Sequence, residues 1–131
     1  MSHRDNPIAV QLYTVRAPAS QDFPGTLRKL AEGGAKAVEF AGYGGMETPE
    51  LRSLLKELGL QVAGSHIQVG QWQSNFQQSL RDLKALGGEY AVVPWVPEER
   101  RNSLEAARTL AASLDVWAAA ARDVGLGFAY H

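Results

Sequence analysis

The chain has 131 residues, of which 45% are hydrophobic and 21% are charged, and it contains no cysteine. These values are typical of a globular domain with one core, and we expect residues 1–131 to form a single domain. The formal net charge of -1 gives no general attraction to nucleic acid or to anionic membranes, and no apolar stretch approaches the roughly 20 residues of a membrane-spanning helix. The lack of cysteine is compatible with a cytoplasmic setting, which we expect.

Short apolar runs that end in a polar or aromatic residue recur along the chain and predict strands. They are Ile8–Val15, Ala37–Phe40, Gln61–His66, Tyr90–Val93 and a fifth run from Gly127 onward. Asn6-Pro7 is predicted to fix the start of the first run.

Amphipathic patterns between these runs predict helices. Asp22 is expected to cap the first helix, and Thr48 is expected to cap the second, which should end at Gly59. Apolar stripes define the buried faces of the first three helices: Phe23, Leu27 and Leu30; Leu51, Leu54, Leu55 and Leu58; Phe76, Leu80, Leu83 and Leu86. A long Ala-rich helix is predicted from Ser103 to Val124.

The strand-helix units repeat at about 25 to 37 residues, which is the size expected for βα units. Such alternation predicts an α/β architecture with parallel strands and right-handed crossovers. The carboxyl ends of parallel strands meet at one edge of the sheet, and this edge usually holds the functional site. The residues expected to gather there are Gln11, Tyr13, Glu39, His66, Trp95 and His131.

Glu39 and His66 are the strongest candidates for chemistry. A carboxylate inside the apolar run of Glu39 requires a polar pocket or a paired cation. The alternative is an outward-facing carboxylate that meets an Arg or Lys on a helix. His66 can bond a hydroxyl group of a ligand or move a proton near neutral pH, and its alternative is a purely structural histidine.

The other candidates are expected to line a pocket. Gln11 and Tyr13 alternate along the first run, so both side chains should face one side and either bind hydroxyl groups or form a buried hydrogen-bonded pair. Trp95 offers a flat apolar surface for a ligand, or else a lid over the site. Arg16 is able to meet a phosphate or carboxylate, but a solvated loop arginine is the favoured interpretation. His131 is expected to be a mobile last residue.

Five segments carry a resemblance to a known family: IAVQLYTVR, AVEFAGYGG, QVAGSHI, YAVVPWV and GLGFAYH. In this order and spacing they closely resemble the N-terminal half of the sugar phosphate isomerase/epimerase family, which are xylose isomerase-like TIM barrels related to inosose dehydratases and endonuclease IV. The resemblance implies that Glu39 and His66 orient a sugar or polyol substrate. It also implies that Gln11, Tyr13, Trp95 and His131 line the pocket.

A complete barrel of this kind needs roughly 250 residues, so the chain is expected to form a partial barrel of about four and a half strand-helix units. We expect a truncated product of a longer gene, or a chain that completes its core by self-association as a homo-oligomer. The resemblance implies a divalent metal (Mn, Mg or Zn) bound by later strands of the full-length proteins. This chain is therefore expected to bind none and to be nearly inactive alone.

Two other functions remain open at this stage. One is a non-catalytic half-barrel module that self-associates and binds a small polyhydroxyl ligand. The other is an endonuclease that acts on abasic DNA, which the near-neutral charge and the lack of a clustered zinc-ligand set disfavour.

Overall fold

The computed structural model describes residues 8–131. Its strands are β1 (Ala9–Gln11), β2 (Ala37–Phe40), β3 (Gln61–His66), β4 (Tyr90–Val93) and β5 (Gly127–Tyr130). Its α-helices are α1 (Arg16–Gln21), α2 (Phe23–Glu32), α3 (Thr48–Leu58), α4 (Val69–Ala85) and α5 (Leu104–Asp123). Two short 3₁₀ segments cover Leu12–Val15 and Glu98–Arg100. The predicted start at Asn6-Pro7 lies outside the described residues.

The strands form one sheet in the order β1-β2-β3-β4-β5, and every neighbouring pair is parallel. Each strand connects to the next through at least one helix, as parallel pairing requires. Within residues 8–131, β1 and β5 each pair with a single neighbour, so the sheet stays open at both edges. The predicted α/β fold and the partial barrel are confirmed.

The core lies between the sheet and the helices. Alternation along β2 places Val38 and Phe40 on the helix side, where both are fully buried, and leaves Glu39 on the opposite face. Leucines of the predicted stripes, among them Leu27 and Leu83, are also completely buried. Each such side chain contributes about 1.5–3 kcal/mol through removal of apolar surface from water. Packing on one face of the sheet therefore leaves the other face available for a site.

The extent of the first strand differs from the prediction, because β1 ends at Gln11 rather than at Val15. The side-chain Oε1 of Gln11 accepts a hydrogen bond from the backbone N–H of Tyr13 at 2.9 Å, which starts the 3₁₀ turn. Leu12 is only 3% exposed within this turn, so core burial and the cap outweigh the β propensity of the sequence. The expected strand alternation of Gln11 and Tyr13 is therefore wrong, and α1 was not predicted.

Helix ends follow the prediction at some positions and not at others. Asp22 caps α2 by accepting from the N–H of Gly25 at 2.9 Å, and Gly59 ends α3 in the left-handed region at φ 67°. Thr48 is not a cap, since Glu47 occupies that position and Thr48 is the first helical residue. Proline as the second helical residue fits there because its missing N–H is not needed in the first turn.

A tryptophan pair joins α4 to α5, and the apolar stripe predicted for α4 missed one member of it. Trp72 is 0% exposed, and its ring stacks on that of Trp117 with centroids 5.4 Å apart. A kink at Asn75 separates Trp72 from the predicted stripe. Trp72 lies four residues before Phe76, so the spacing of the stripe in the sequence would have included it. No helix in the described range combines the length and apolar character that a membrane crossing requires.

Candidate functional site

The register of the sheet brings three polar side chains together at the carboxyl ends of β1, β2 and β3. Gln11 lies directly opposite Glu39 in the β1–β2 ladder. The β2–β3 ladder then shifts, so that Glu39 lies opposite Gly64 and Phe40 lies opposite Ser65. His66 is two residues beyond Gly64 and shares its face of the sheet. The shift thus brings the His66 imidazole into contact with the Glu39 carboxylate.

The Glu39 carboxylate is the centre of a small hydrogen-bond network. Its Oε1 accepts from Gln11 Nε2 at 2.5 Å and lies 3.1 Å from His66 Nε2. The Glu39 side chain is 29% exposed and that of His66 is 16% exposed, so the network is partly shielded from water. Because the carboxylate accepts, the contact assigns the proton to Nε2 of His66. The alternative of an outward carboxylate paired with Arg or Lys is wrong.

Gln11 has both ends of its amide engaged by the protein. Its Nε2 donates to Glu39 and its Oε1 accepts from the N–H of Tyr13. The side chain therefore ties the Glu39 carboxylate to the turn that follows β1. The phenol ring of Tyr13 is 60% exposed, so the alternative of a buried hydrogen-bonded pair of the two side chains is wrong.

His131 is anchored rather than free. Its backbone N–H donates to the carbonyl of Val93 at 2.9 Å, and its ring Nδ1 lies 3.2 Å from the carbonyl of Pro94. The His131 ring stands 5.7 Å from that of His66, centroid to centroid. These contacts contradict the expectation of a mobile last residue and place a second imidazole beside the Glu39–His66 pair.

One cleft of about 700 Å³ contains all of the predicted site residues. It is lined by Gln11, Tyr13, Glu39, Ala41, His66, Gln68, Pro94, Trp95 and His131. Two aromatic side chains are open to solvent in it, Tyr13 at 60% and Trp95 at 58% exposure. The sequence reasoning missed Gln68, although its place two residues after His66 was a usable signal.

A polar layer lies behind the cleft on the other side of His66. Ser65 is buried, and its side chain forms a hydrogen bond with the phenol of Tyr43. Burial raises the pKa of Tyr43 above its ordinary value, while the hydrogen bond with Ser65 acts in the opposite direction. The phenol is therefore neutral at physiological pH. Among the lining residues of the cleft, Glu39 is the only Asp or Glu.

The metal that the resemblance implies for full-length proteins needs several convergent ligands. Among residues 8–131, no group of three or more His, Cys, Asp or Glu side chains has the geometry to hold a metal ion. Glu39 and His66 converge, but the Nδ1 of His131 is directed to the Pro94 carbonyl. The described residues thus do not form the implied metal centre.

Solved structures with the same fold include two proteins of Parabacteroides distasonis ATCC 8503, both described as sugar phosphate isomerase/epimerase. One is 20% identical with a TM-score of 0.79 over 95% of this chain and 54% of its own. The other is 18% identical with a TM-score of 0.79 over 100% of this chain and 53% of its own. Protein SMc04130 of Sinorhizobium meliloti 1021 is 15% identical, with a TM-score of 0.72 over 95% of this chain and 50% of its own.

Neither a protein-family model nor a curated protein matches the sequence. The chain spans about half the length of the solved structures that it matches. It therefore has the fold of sugar phosphate isomerase/epimerase proteins over about half of their length.

Proposed function

We propose that the chain is the N-terminal portion of an enzyme that isomerises, epimerises or dehydrates a sugar or polyol by proton transfer. One observation carries this proposal. The Glu39 carboxylate and the His66 imidazole are in contact at 3.1 Å inside a cleft of about 700 Å³. The fold shared with proteins described as sugar phosphate isomerase/epimerase supports the same reaction class.

The proposed chemistry uses the two oxygens of Glu39 differently. Oε1 is engaged by Gln11 and His66, which leaves Oε2 to accept a proton or a hydroxyl group of the substrate. His66 holds its proton at Nε2 toward the carboxylate, so its Nδ1 is the nitrogen that can accept a second proton. Glu39 and His66 are thus proposed as the acid-base pair, and Gln11 as the residue that orients Glu39.

Substrate binding is proposed to rely on Tyr13, Trp95 and His131. The exposed rings of Tyr13 and Trp95 offer flat apolar surfaces to the C–H faces of a sugar ring or polyol chain. With its Nδ1 directed to the Pro94 carbonyl, His131 retains Nε2 for a substrate hydroxyl. A polyhydroxyl ligand matches this mixture of apolar faces and hydrogen-bonding groups.

The chain alone is proposed to bind substrate weakly and to turn it over little or not at all. The resemblance implies a metal held by the other half of a full-length protein. Such a metal would polarise the substrate oxygens. The test is an isomerase assay over a panel of aldoses, ketoses and inositols with added Mn²⁺ or Mg²⁺. Robust turnover by these 131 residues would overturn this proposal.

Binding is tested separately by following the fluorescence of Trp95 during a polyol titration. Trp72 and Trp117 are buried, so a ligand-dependent change is expected to disappear in Trp95→Phe. Glu39→Gln should weaken binding, whereas Glu50→Gln on the exposed face of α3 should leave it unchanged. Equal binding by both glutamine variants would remove Glu39 from the proposed site.

The second candidate function is a non-catalytic module that self-associates, and the open sheet favours it. Tyr130 on β5 is 48% exposed, and β1 and β5 are edge strands of the described sheet. Exposed strand edges with large apolar side chains favour pairing with another chain. Light scattering coupled to size exclusion is expected to show a defined dimer under this candidate, and a monomer would exclude it.

A further inference from the structure

We propose that Tyr43 is a positioning residue, which together with Ser65 holds β3 in the register that brings His66 to Glu39. Neither Tyr43 nor Ser65 lines the cleft, and both lie on the helix side of the sheet around a separate, smaller cavity. The inference rests on the proposed function for the use that the chain makes of the Glu39–His66 contact. The effect of Tyr43 on that contact requires no substrate.

The ladder between β2 and β3 contains an irregularity just before the site. Val38 lies opposite Val62, but the next residue, Glu39, lies opposite Gly64, so the ladder skips one residue of β3. A slip of one residue turns every later side chain of a strand to the other face of the sheet. In an unshifted register His66 would therefore face the helices and could not reach the Glu39 carboxylate. The Glu39–His66 contact thus depends on the shifted register.

Tyr43 makes a contact that exists only in the shifted register. Its phenol forms a hydrogen bond with the side chain of Ser65, which is 1% exposed. Both residues line a cavity of about 140 Å³, together with Ser79 and Asp82 of α4. In the unshifted register the Ser65 hydroxyl would face the cleft, away from Tyr43. The Tyr43–Ser65 hydrogen bond therefore stabilises the shifted register over the unshifted one.

The position of the Tyr43 ring is fixed by packing on β2. The ring meets that of Phe40 edge-on, with centroids 5.0 Å apart and planes at 78°. Gly42 and Gly44 on either side have positive φ, 104° and 64°, which allows the loop to turn back over Phe40. Phe40 lies opposite Ser65 in the ladder, so this packing places the phenol beside the Ser65 hydroxyl.

The two contacts join the same two segments of chain from opposite faces of the sheet. Glu39 lies four residues before Tyr43, and His66 directly follows Ser65. On the cleft face, Glu39 Oε1 lies 3.1 Å from His66 Nε2. On the helix face, the phenol holds the Ser65 hydroxyl. Loss of the bond on the helix face should therefore loosen the contact on the cleft face, and Tyr43 acts through His66 without touching a substrate.

The test is long-range ¹H–¹⁵N NMR of the 131-residue chain with its imidazoles in the neutral form. Such spectra show which ring nitrogen of His66 carries the proton, and the contact with Glu39 favours the form protonated at Nε2. Tyr43→Phe and Ser65→Ala each remove one partner of the hydrogen bond and keep most of the side-chain volume. Each is expected to raise the ratio of the Nδ1–H form to the Nε2–H form about two- to tenfold, which corresponds to the loss of one neutral hydrogen bond.

Two control variants separate positioning from general destabilisation. Tyr90→Phe removes a phenol oxygen from a tyrosine of β4 that is 51% exposed. Leu110→Ala removes a buried side chain of α5 and lowers the free energy of unfolding at a place remote from the Tyr43–Ser65 bond. Both controls are expected to leave the ratio of the two His66 forms unchanged.

Each outcome decides the inference. An unchanged ratio in Tyr43→Phe or in Ser65→Ala overturns it, and so does an equal change in Tyr90→Phe or Leu110→Ala. The double variant is expected to change the ratio no more than the larger single change, because both substitutions remove the same bond, and additive changes overturn the inference. If Tyr43→Phe does not fold, Ser65→Ala decides by the same criteria.

A xylitol titration followed by the fluorescence of Trp95 separates this inference from the proposed function. A changed ratio in the variants, together with no xylitol binding by the wild type, supports the role of Tyr43 and counts against the polyol cleft. Xylitol binding by the wild type, together with an unchanged ratio in the variants, supports the cleft and overturns the role of Tyr43.

Discussion

The contact between Gln11 and Glu39 offers a direct energetic test of the site. A double-mutant cycle with Gln11→Ala, Glu39→Ala and the double variant isolates the coupling between the two side chains. The cycle is needed because each single change also alters the desolvation of the partner that remains. The free energy of unfolding from urea denaturation is the measured quantity.

The expected coupling follows from the geometry. A hydrogen bond to a charged group contributes about 1.5–3 kcal/mol. The carboxylate is 29% exposed, and water competes for it, so we expect about 1–2 kcal/mol for this pair.

The matched control is the ion pair between Arg28 and Glu57, which joins α2 to α3. Its distance of 2.7 Å is similar, but its side chains are 46% and 61% exposed. Solvent screening should make the coupling of this pair clearly smaller than that of the site. A site coupling near zero, or one no larger than that of the control, would refute the argument that partial burial strengthens the Glu39 network.

Three further predictions concern the framework of the site. Gly64→Ala should lower the free energy of unfolding by about 1–3 kcal/mol in urea denaturation, because its Cβ would lie 2.5 Å from the carbonyl oxygen of Tyr90. The control is Gly70→Ala, whose Cβ would meet no atom within 4 Å and which should leave the free energy of unfolding without this loss. Leu83→Ala should cost about 2–5 kcal/mol, because this side chain is completely buried, and a loss below about 1 kcal/mol would contradict the described packing. Burial raises the pKa of Tyr43, so the unfolded chain releases this proton first and stability should fall as pH rises past the ordinary value of 10.0. The free energy of unfolding from urea denaturation should fall less between pH 9 and about pH 11 for Tyr43→Phe than for the wild type. An equal fall in both proteins would count against the assignment to Tyr43.

The sequence predicted those parts of the fold that depend on local pattern. The bounds of β2, β3 and β4 agree with the structure because each is a short apolar run with turn or cap residues beside it. Parallel pairing followed from the alternation of strands and helices. The six candidate side chains could be assigned to one edge for the same reason, and all six line the cleft.

Errors arose where contacts distant in sequence or a side-chain cap outweighed propensity. β1 was predicted too long because Val, Tyr and Thr favour strands, whereas the Gln11 cap and burial of Leu12 turn the chain. The Gln11 cap and the burial of Leu12 are not visible as a periodicity in the sequence. Trp72, by contrast, was missed although it lies four residues before Phe76, at the spacing of the predicted stripe.

The amino-acid order by itself determined which residues stand at the carboxyl ends of β2, β3 and β4, since a local period and a local turn were enough to place those strand ends. Only the tertiary structure decided where β1 ends and which of the candidate side chains touch. The register shift opposite Glu39 brings His66 Nε2 to 3.1 Å from the carboxylate. Register and side-chain contacts depend on packing between segments far apart in the chain, which no local pattern specifies.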